Sequence, residues 1–88
     1  MHNLYILESK QIGRRYIGVS SDVVKRLEEH NNKKVRSTKA YVPWALIHKE
    51  EYATKREARV RELELKNNSW KRKDLFERIN RVAPSSNG

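Results

Sequence analysis

The sequence predicts an α+β fold: a small three-stranded antiparallel sheet flanked by helices, in the order β-β-α-β-α-α. Two short apolar runs stand on either side of a glycine turn near the N-terminus, and a third follows the proline at residue 43. Helix-start signals precede each of the segments that remain. At 88 residues the chain holds one modest core and no internal repeat. One domain is expected over residues 1–82, with "APSSNG" at 83–88 as a flexible tail.

"NLYILE" reads as the first strand, with Leu4 and Ile6 on one face and Tyr5 and Leu7 on the other. "SKQIG" carries turn chemistry, and Gly13 is free to take a positive φ there. "RRYIGVS" completes a hairpin over residues 3–19. Pairing of Leu7 near Arg14 sets Tyr5 opposite or diagonal to Tyr16, on one shared face. Ser21 or Asp22 caps a helix that runs to about His30, with Val23, Val24 and Leu27 as its buried side. "KKVRSTKAYVP" is a basic loop, and "WALIHKEEY" alternates as the third strand. Thr54 and Glu57 form the capping box of the second helix, "KREARVRELELK". Ser69 caps the last helix, in which Trp70, Phe76, Ile79 and Val82 are apolar. The default role for Trp44, Trp70, Tyr41 and Tyr52 is to fill the core or cover its edges.

Charge narrows the classes of function. Twenty Lys and Arg stand against 11 Asp and Glu, a formal net of +9. In so small a chain this balance calls for a polyanionic partner, because neutralising phosphates releases counterions. The cations are spread through "KKVRSTK", "KREARVR" and "WKRK", which suits a folded nucleic-acid surface better than a disordered arm. Solubility alone is the plain alternative. Cysteine is absent, so there is no disulfide or thiolate metal site, and "MHNLYILESK" is too short and polar for a signal peptide. No apolar run spans a bilayer, and a cytoplasmic protein without a membrane partner is expected. H-E-x-x-H, a Gly-rich phosphate loop and G-x-S-x-G are all missing.

Three positions look functional. Arg26 and His30, at i and i+4, share a helix face directly after the second strand, which sets them beside the tyrosines. A solvated polar face is the ordinary reading of such a pair. Glu62 falls within the apolar stripe of Ala58 and Leu65, so its carboxylate should meet a cation, either a basic side chain or a metal. Val60 and Leu63 make a second apolar patch that would let this helix be sandwiched.

Together Tyr5, "YIG" at 16–18, "R-x-x-x-H-N" from Arg26, "KVRSTK…PW" and "EEYATKREA…RE…LK" resemble the GIY-YIG endonuclease superfamily, in particular its small stand-alone bacterial members, similar to the excinuclease nuclease domain. The second half-motif is complete, whereas the first reads "NLY", keeping only its tyrosine. The resemblance covers about residues 3 to 67. It implies a metal-dependent DNA endonuclease with Mg²⁺ or Mn²⁺ as cofactor, acting in DNA repair or on branched DNA. Tyr5 and Tyr16 become the paired active-site tyrosines, with Tyr5 read as the base. Gly18 allows close approach of backbone or substrate, Arg26 stabilises phosphate charge, His30 assists at the nucleophile or phosphate, and Glu62 holds the metal. Lys33, Lys34, Arg36 and Lys39 are the expected DNA contacts, and Asn67, Asn68 and Asn80 are candidates for the family's late asparagine. A catalytically inert nucleic-acid-binding module of the same fold is the alternative, as is a catalytic domain tethered to a DNA-reading partner protein. Nothing in the residues sets an oligomeric state.

Overall fold

The computed structural model describes residues 1–82, and the tail expected at 83–88 lies outside them. Three strands and three helices follow in the predicted order: β1 His2–Ser9, β2 Arg15–Ser20, α1 Val23–Asn31, β3 Trp44–Tyr52, α2 Lys55–Asn67 and α3 Ser69–Val82. The sheet order is β2-β1-β3, with both pairings antiparallel. Because β1 is central and covered on both faces, Leu4, Tyr5, Ile6 and Leu7 are all buried. Leu4 and Ile6 pack with Ile17, Leu65, Leu75 and Ile79 under α2 and α3. Tyr5 and Leu7 pack with Val23 and Trp44 on the opposite face. Each such side chain contributes about 1.5–3 kcal/mol, so two small clusters hold one sheet from both sides.

The hairpin turn rests on Gly13, at φ +73°, and on Ser9. The Ser9 hydroxyl accepts from the backbone N–H groups of Gln11 and Ile12 and donates to the Tyr41 carbonyl. Leu7 pairs with Tyr16, two residues from the expected partner, and a shift of two preserves the face. Tyr5 therefore stands opposite Gly18 and diagonal to Tyr16.

A bulge divides β3. Ile6 pairs with His48 and Leu7 with Leu46, which leaves Ile47 as the extra residue. The bulge turns Trp44 toward the tyrosines and sends His48, Glu50 and Tyr52 to the face shared with Ile6 and Leu4. There Glu50 accepts from Tyr52 Oη at 2.7 Å and Arg61 Nε at 2.9 Å, joining β3 to α2. Although burial opposes ionisation, hydrogen bonds from Arg61, His48 and Tyr52 hold the Glu50 carboxyl down at about 2.

Of the two caps that the sequence offers α1, Asp22 serves, accepting from Lys25 N. Other expectations are corrected. Asn68, not Ser69, caps α3 by accepting from Lys71 N, and Ser69 lies inside the helix. Val24 is 70% exposed, because the sheet takes only the stripe of Val23, Leu27 and His30. Trp70 is 82% exposed: it shares the outer stripe of α3 with Lys73, Asp74 and Glu77, while Leu75, Phe76 and Ile79 face the core. Val60 and Leu63 are exposed as well, so α2 is covered on one side and is not sandwiched. Among the described residues no helix is long and apolar enough to cross a membrane.

Candidate active site

Tyr5 reaches the site from the central strand. Its ring lies across β2 at Gly18, where a Cβ would stand 2.5 Å from Tyr5 Oη and 2.6 Å from Cζ. The close approach that the glycine allows is thus made by the protein's own tyrosine. Tyr16 follows on the same face, its ring centroid 6.3 Å from that of Tyr5.

The capped start of α1 directly after β2 brings His30 beneath both rings. His30 is fully buried. Its Nε2 lies 3.2 Å from Tyr5 Oη, its Nδ1 lies 2.8 Å from Thr38 Oγ1, and its ring meets Tyr16 edge-on at 4.8 Å. Burial, with Arg26 adding to it, pushes the imidazole down to about 4, so the ring is neutral at neutral pH. Burial pushes the Tyr5 phenol up to about 12, while the Arg26 guanidinium alongside pulls the other way. In the resting site the proton therefore belongs to the phenol. Arg26, one turn before His30, is anchored by Glu29 at 2.8 Å.

The second wall comes from α2. Glu62 is only 6% exposed, its carboxylate accepting from Arg59 Nη1 at 3.1 Å and Lys66 Nζ at 2.9 Å. The cation demanded by its place in the apolar stripe is thus present twice. Between the walls lies a cleft of about 170 Å³ lined by Tyr5, Tyr16, Gly18, Val19 and Arg26 on one side and Lys55, Arg59 and Glu62 on the other. Three cations against one carboxylate make it a place for an anion.

The metal reading fits this donor set in one way only. Among the described residues no three His, Cys, Asp or Glu side chains gather to cage an ion, and Glu62 is the single carboxylate of the cleft. One carboxylate suits Mg²⁺, which keeps its waters and takes phosphate oxygens from a substrate.

The sequence assignments are unevenly distributed over this geometry. Tyr5, Tyr16, Gly18, Arg26 and Glu62 meet at the cleft, and His30 stands behind Tyr5. Lys33, Lys34, Arg36 and Lys39 are exposed on the loop after α1 and do not line it. Neither do Asn67, which ends α2, Asn68, which caps α3, or Asn80, which accepts from Arg15. Asn31 has a structural task, since its amide donates to the Trp44 carbonyl and accepts from the Trp44 N–H. Lys55, Arg59 and Thr38 escaped the sequence reading. For Lys55 and Arg59 the signal was available: they lie seven and three residues before Glu62, on its helical stripe. Thr38 gives no such signal, because its partner is reached only through the fold.

The depressed His30 has a consequence for stability. Between the ordinary histidine value of 6.5 and about 4 the unfolded chain binds a proton that the folded chain refuses. Stability is therefore complete above 6.5 and lost as pH falls toward 4. From pH 7 to pH 5 the loss is about 2 kcal/mol. Urea unfolding at the two pH values should show it, and the difference should shrink in His30→Gln.

A family model described as the GIY-YIG catalytic domain matches residues 1–78. The chain is 40% identical to a UPF0213 protein of Bacillus pumilus over 76 residues, covering 85% of this chain and 76% of that one. It is 35% identical to a UPF0213 protein of Halobacterium salinarum, covering 86% and 99%. The solution NMR structure of a UPF0213 protein from Bacillus halodurans superposes with a TM-score of 0.54 at 32% identity, over 89% of this chain and 83% of that one. With its tyrosines, arginine and glutamate gathered in one cationic cleft, the chain belongs to the GIY-YIG family, a family of nucleases.

Proposed function

We propose that the protein is a divalent-metal-dependent DNA endonuclease that hydrolyses phosphodiester bonds in a cytoplasmic setting, on repair intermediates or branched DNA. The observation that carries this reading is the meeting of two tyrosines, Arg26 and Glu62 in a cationic cleft, with a neutral imidazole bonded behind Tyr5. Arg26 takes the charge of the scissile phosphate. Tyr16 orients the attacking water, and the Tyr5 oxygen accepts that water's proton as its own proton passes to His30 Nε2. A concerted transfer suits a phenol pushed up to about 12, which holds no standing phenolate at neutral pH, and the negative phosphate, by neutralising Arg26, raises the imidazole above the low value that burial and Arg26 give it. Glu62 would hold the Mg²⁺ or Mn²⁺ ion, which when bound supplies polarisation of the phosphate and stabilisation of the leaving oxygen. The exposed cations Lys33, Lys34, Arg36 and Lys39 contact flanking phosphates, so affinity should be weakly sequence-specific and fall steeply with salt. Any preference for one sequence would come from a DNA-reading partner.

The test is nicking of supercoiled plasmid with Mg²⁺ or Mn²⁺, with and without chelator, beside a Glu62→Gln variant. Metal-dependent nicking by the wild type, lost in the variant, is the expected result. Salt-sensitive DNA binding without cleavage of plasmid or branched DNA would instead identify an inert binding module.

A further inference from the structure

Thr38 is 1% exposed, yet it lies on a loop whose neighbours Ser37 and Lys39 are both exposed. Its backbone carbonyl accepts from Trp44 Nε1 at 2.9 Å, which fixes its height against the sheet. Its hydroxyl meets two groups. Oγ1 is 2.8 Å from His30 Nδ1 and 3.3 Å from the Val35 carbonyl oxygen.

A hydroxyl has one proton to give, and a carbonyl can only accept. When the Thr38 proton goes to Val35 O, the Thr38 oxygen accepts from His30 Nδ1–H. A neutral imidazole carries one N–H, so Nε2 then presents its lone pair to the Tyr5 hydroxyl, 3.2 Å away. All three bonds form. In the opposite arrangement Thr38 donates to Nδ1 and Nε2–H donates to Tyr5 Oη. Only two bonds form: Val35 O keeps the N–H groups of Thr38 and Lys39 but loses the hydroxyl, and the Tyr5 oxygen is spent as an acceptor beside the Arg26 guanidinium. The two arrangements have opposite chemical meaning. In the first, Tyr5 has a proton acceptor behind it and can take a proton from the cleft. In the second, it faces a donor and cannot pass its proton on.

We infer that Thr38 is a positioning residue: by accepting from His30 Nδ1–H it fixes the tautomer in which Nε2 receives the Tyr5 proton. The inference rests on the nuclease reading for its catalytic meaning and on hydrogen-bond geometry for its structural content. In the transfer the Tyr5 O–H bond breaks and an Nε2–H bond forms. The imidazolium keeps its Nδ1–H bond to Thr38, and the Tyr5 oxygen gains the proton released by water.

Long-range ¹H–¹⁵N correlation spectra of the ¹⁵N-histidine-labelled full chain at neutral pH test it, with His30 assigned by its loss in His30→Gln. The wild type should show Nδ1 protonated and Nε2 bare. Thr38→Val keeps the shape and removes the hydroxyl, so it should lose the single tautomer and lower kcat about ten- to hundredfold with little change in KM. Thr38→Ser should restore both. A wild-type spectrum with Nε2 protonated overturns the inference, even if Thr38→Val does not fold, and so does a folded Thr38→Val with an unchanged tautomer and kcat. The spectra need no turnover. A shifted tautomer in a protein that cleaves no DNA upholds the positioning role and defeats only the nuclease reading.

Discussion

Tyr5→Phe is expected to lower plasmid nicking by about 10²–10⁴-fold, the range for removal of a positioned proton-transfer group. The substitution deletes one oxygen from a ring otherwise held by Leu7, Val23 and Trp44, so the packing survives. Its structural cost is the lost hydrogen bond to His30 Nε2, which leaves that nitrogen buried without a partner, about 1–3 kcal/mol. DNA affinity and its dependence on salt should not change, because the substitution removes no charge. Nicking rates beside fluorescence-anisotropy binding at several salt concentrations separate the two effects. A variant that still cleaves at the wild-type rate would take Tyr5 out of the chemistry.

Gly18→Ala should damage stability and activity together. The new methyl would stand 2.5 Å from Tyr5 Oη and 2.6 Å from Cζ, far inside normal contact. Strand pairing sets Gly18 against Tyr5 itself, so the backbone cannot yield without disturbing the middle of the sheet. Overpacking of this kind costs about 1–3 kcal/mol, and any relief by moving the ring pulls Oη away from His30. Nicking should therefore fall nearly as far as in Tyr5→Phe. Removing the ring as well, in Tyr5→Ala/Gly18→Ala, should make the alanine at 18 almost harmless relative to Tyr5→Ala, a coupling that urea unfolding of the four proteins measures. Gly13→Ala is the control. It meets no atom within 4 Å and strains only a positive φ, so it should cost about 1 kcal/mol and leave nicking intact.

How much of this was legible in advance depended on how local each signal was. Alternation in β1 assigned Leu4 and Ile6 to one face and Tyr5 and Leu7 to the other, and the two-residue difference in register left those faces unchanged. The capping box at Thr54 and Glu57 was readable because both partners lie within one helical turn. Trp70 was misjudged by residue type, although its position on the stripe of Lys73 and Glu77 already turned it outward. The bulge at Ile47 left no mark, since the alternation of β3 runs through it unbroken. Of the cleft, Tyr5, Tyr16, Arg26 and Glu62 were nameable through the family pattern, and Lys55 and Arg59 through helical spacing from Glu62. Thr38 was not, because a loop hydroxyl eight residues beyond His30 acquires meaning only once the chain has folded back.

The clasp between Asn31 and Trp44 bears on how this nuclease scaffold can be re-engineered. By pairing with both backbone groups of Trp44, the Asn31 amide closes residues 32–43 at their ends. Thr38 and Trp44 tie down the far half of that segment, and the backbone before it is held too, Lys33 and Lys34 on α1 and the Val35 carbonyl beneath Thr38, so only the side chains of Lys33, Lys34, Arg36 and Ser37 are open to exchange. Side-chain diversity can accumulate at those positions and change the charge of this surface, while the backbone that seats Thr38 against His30 stays in register.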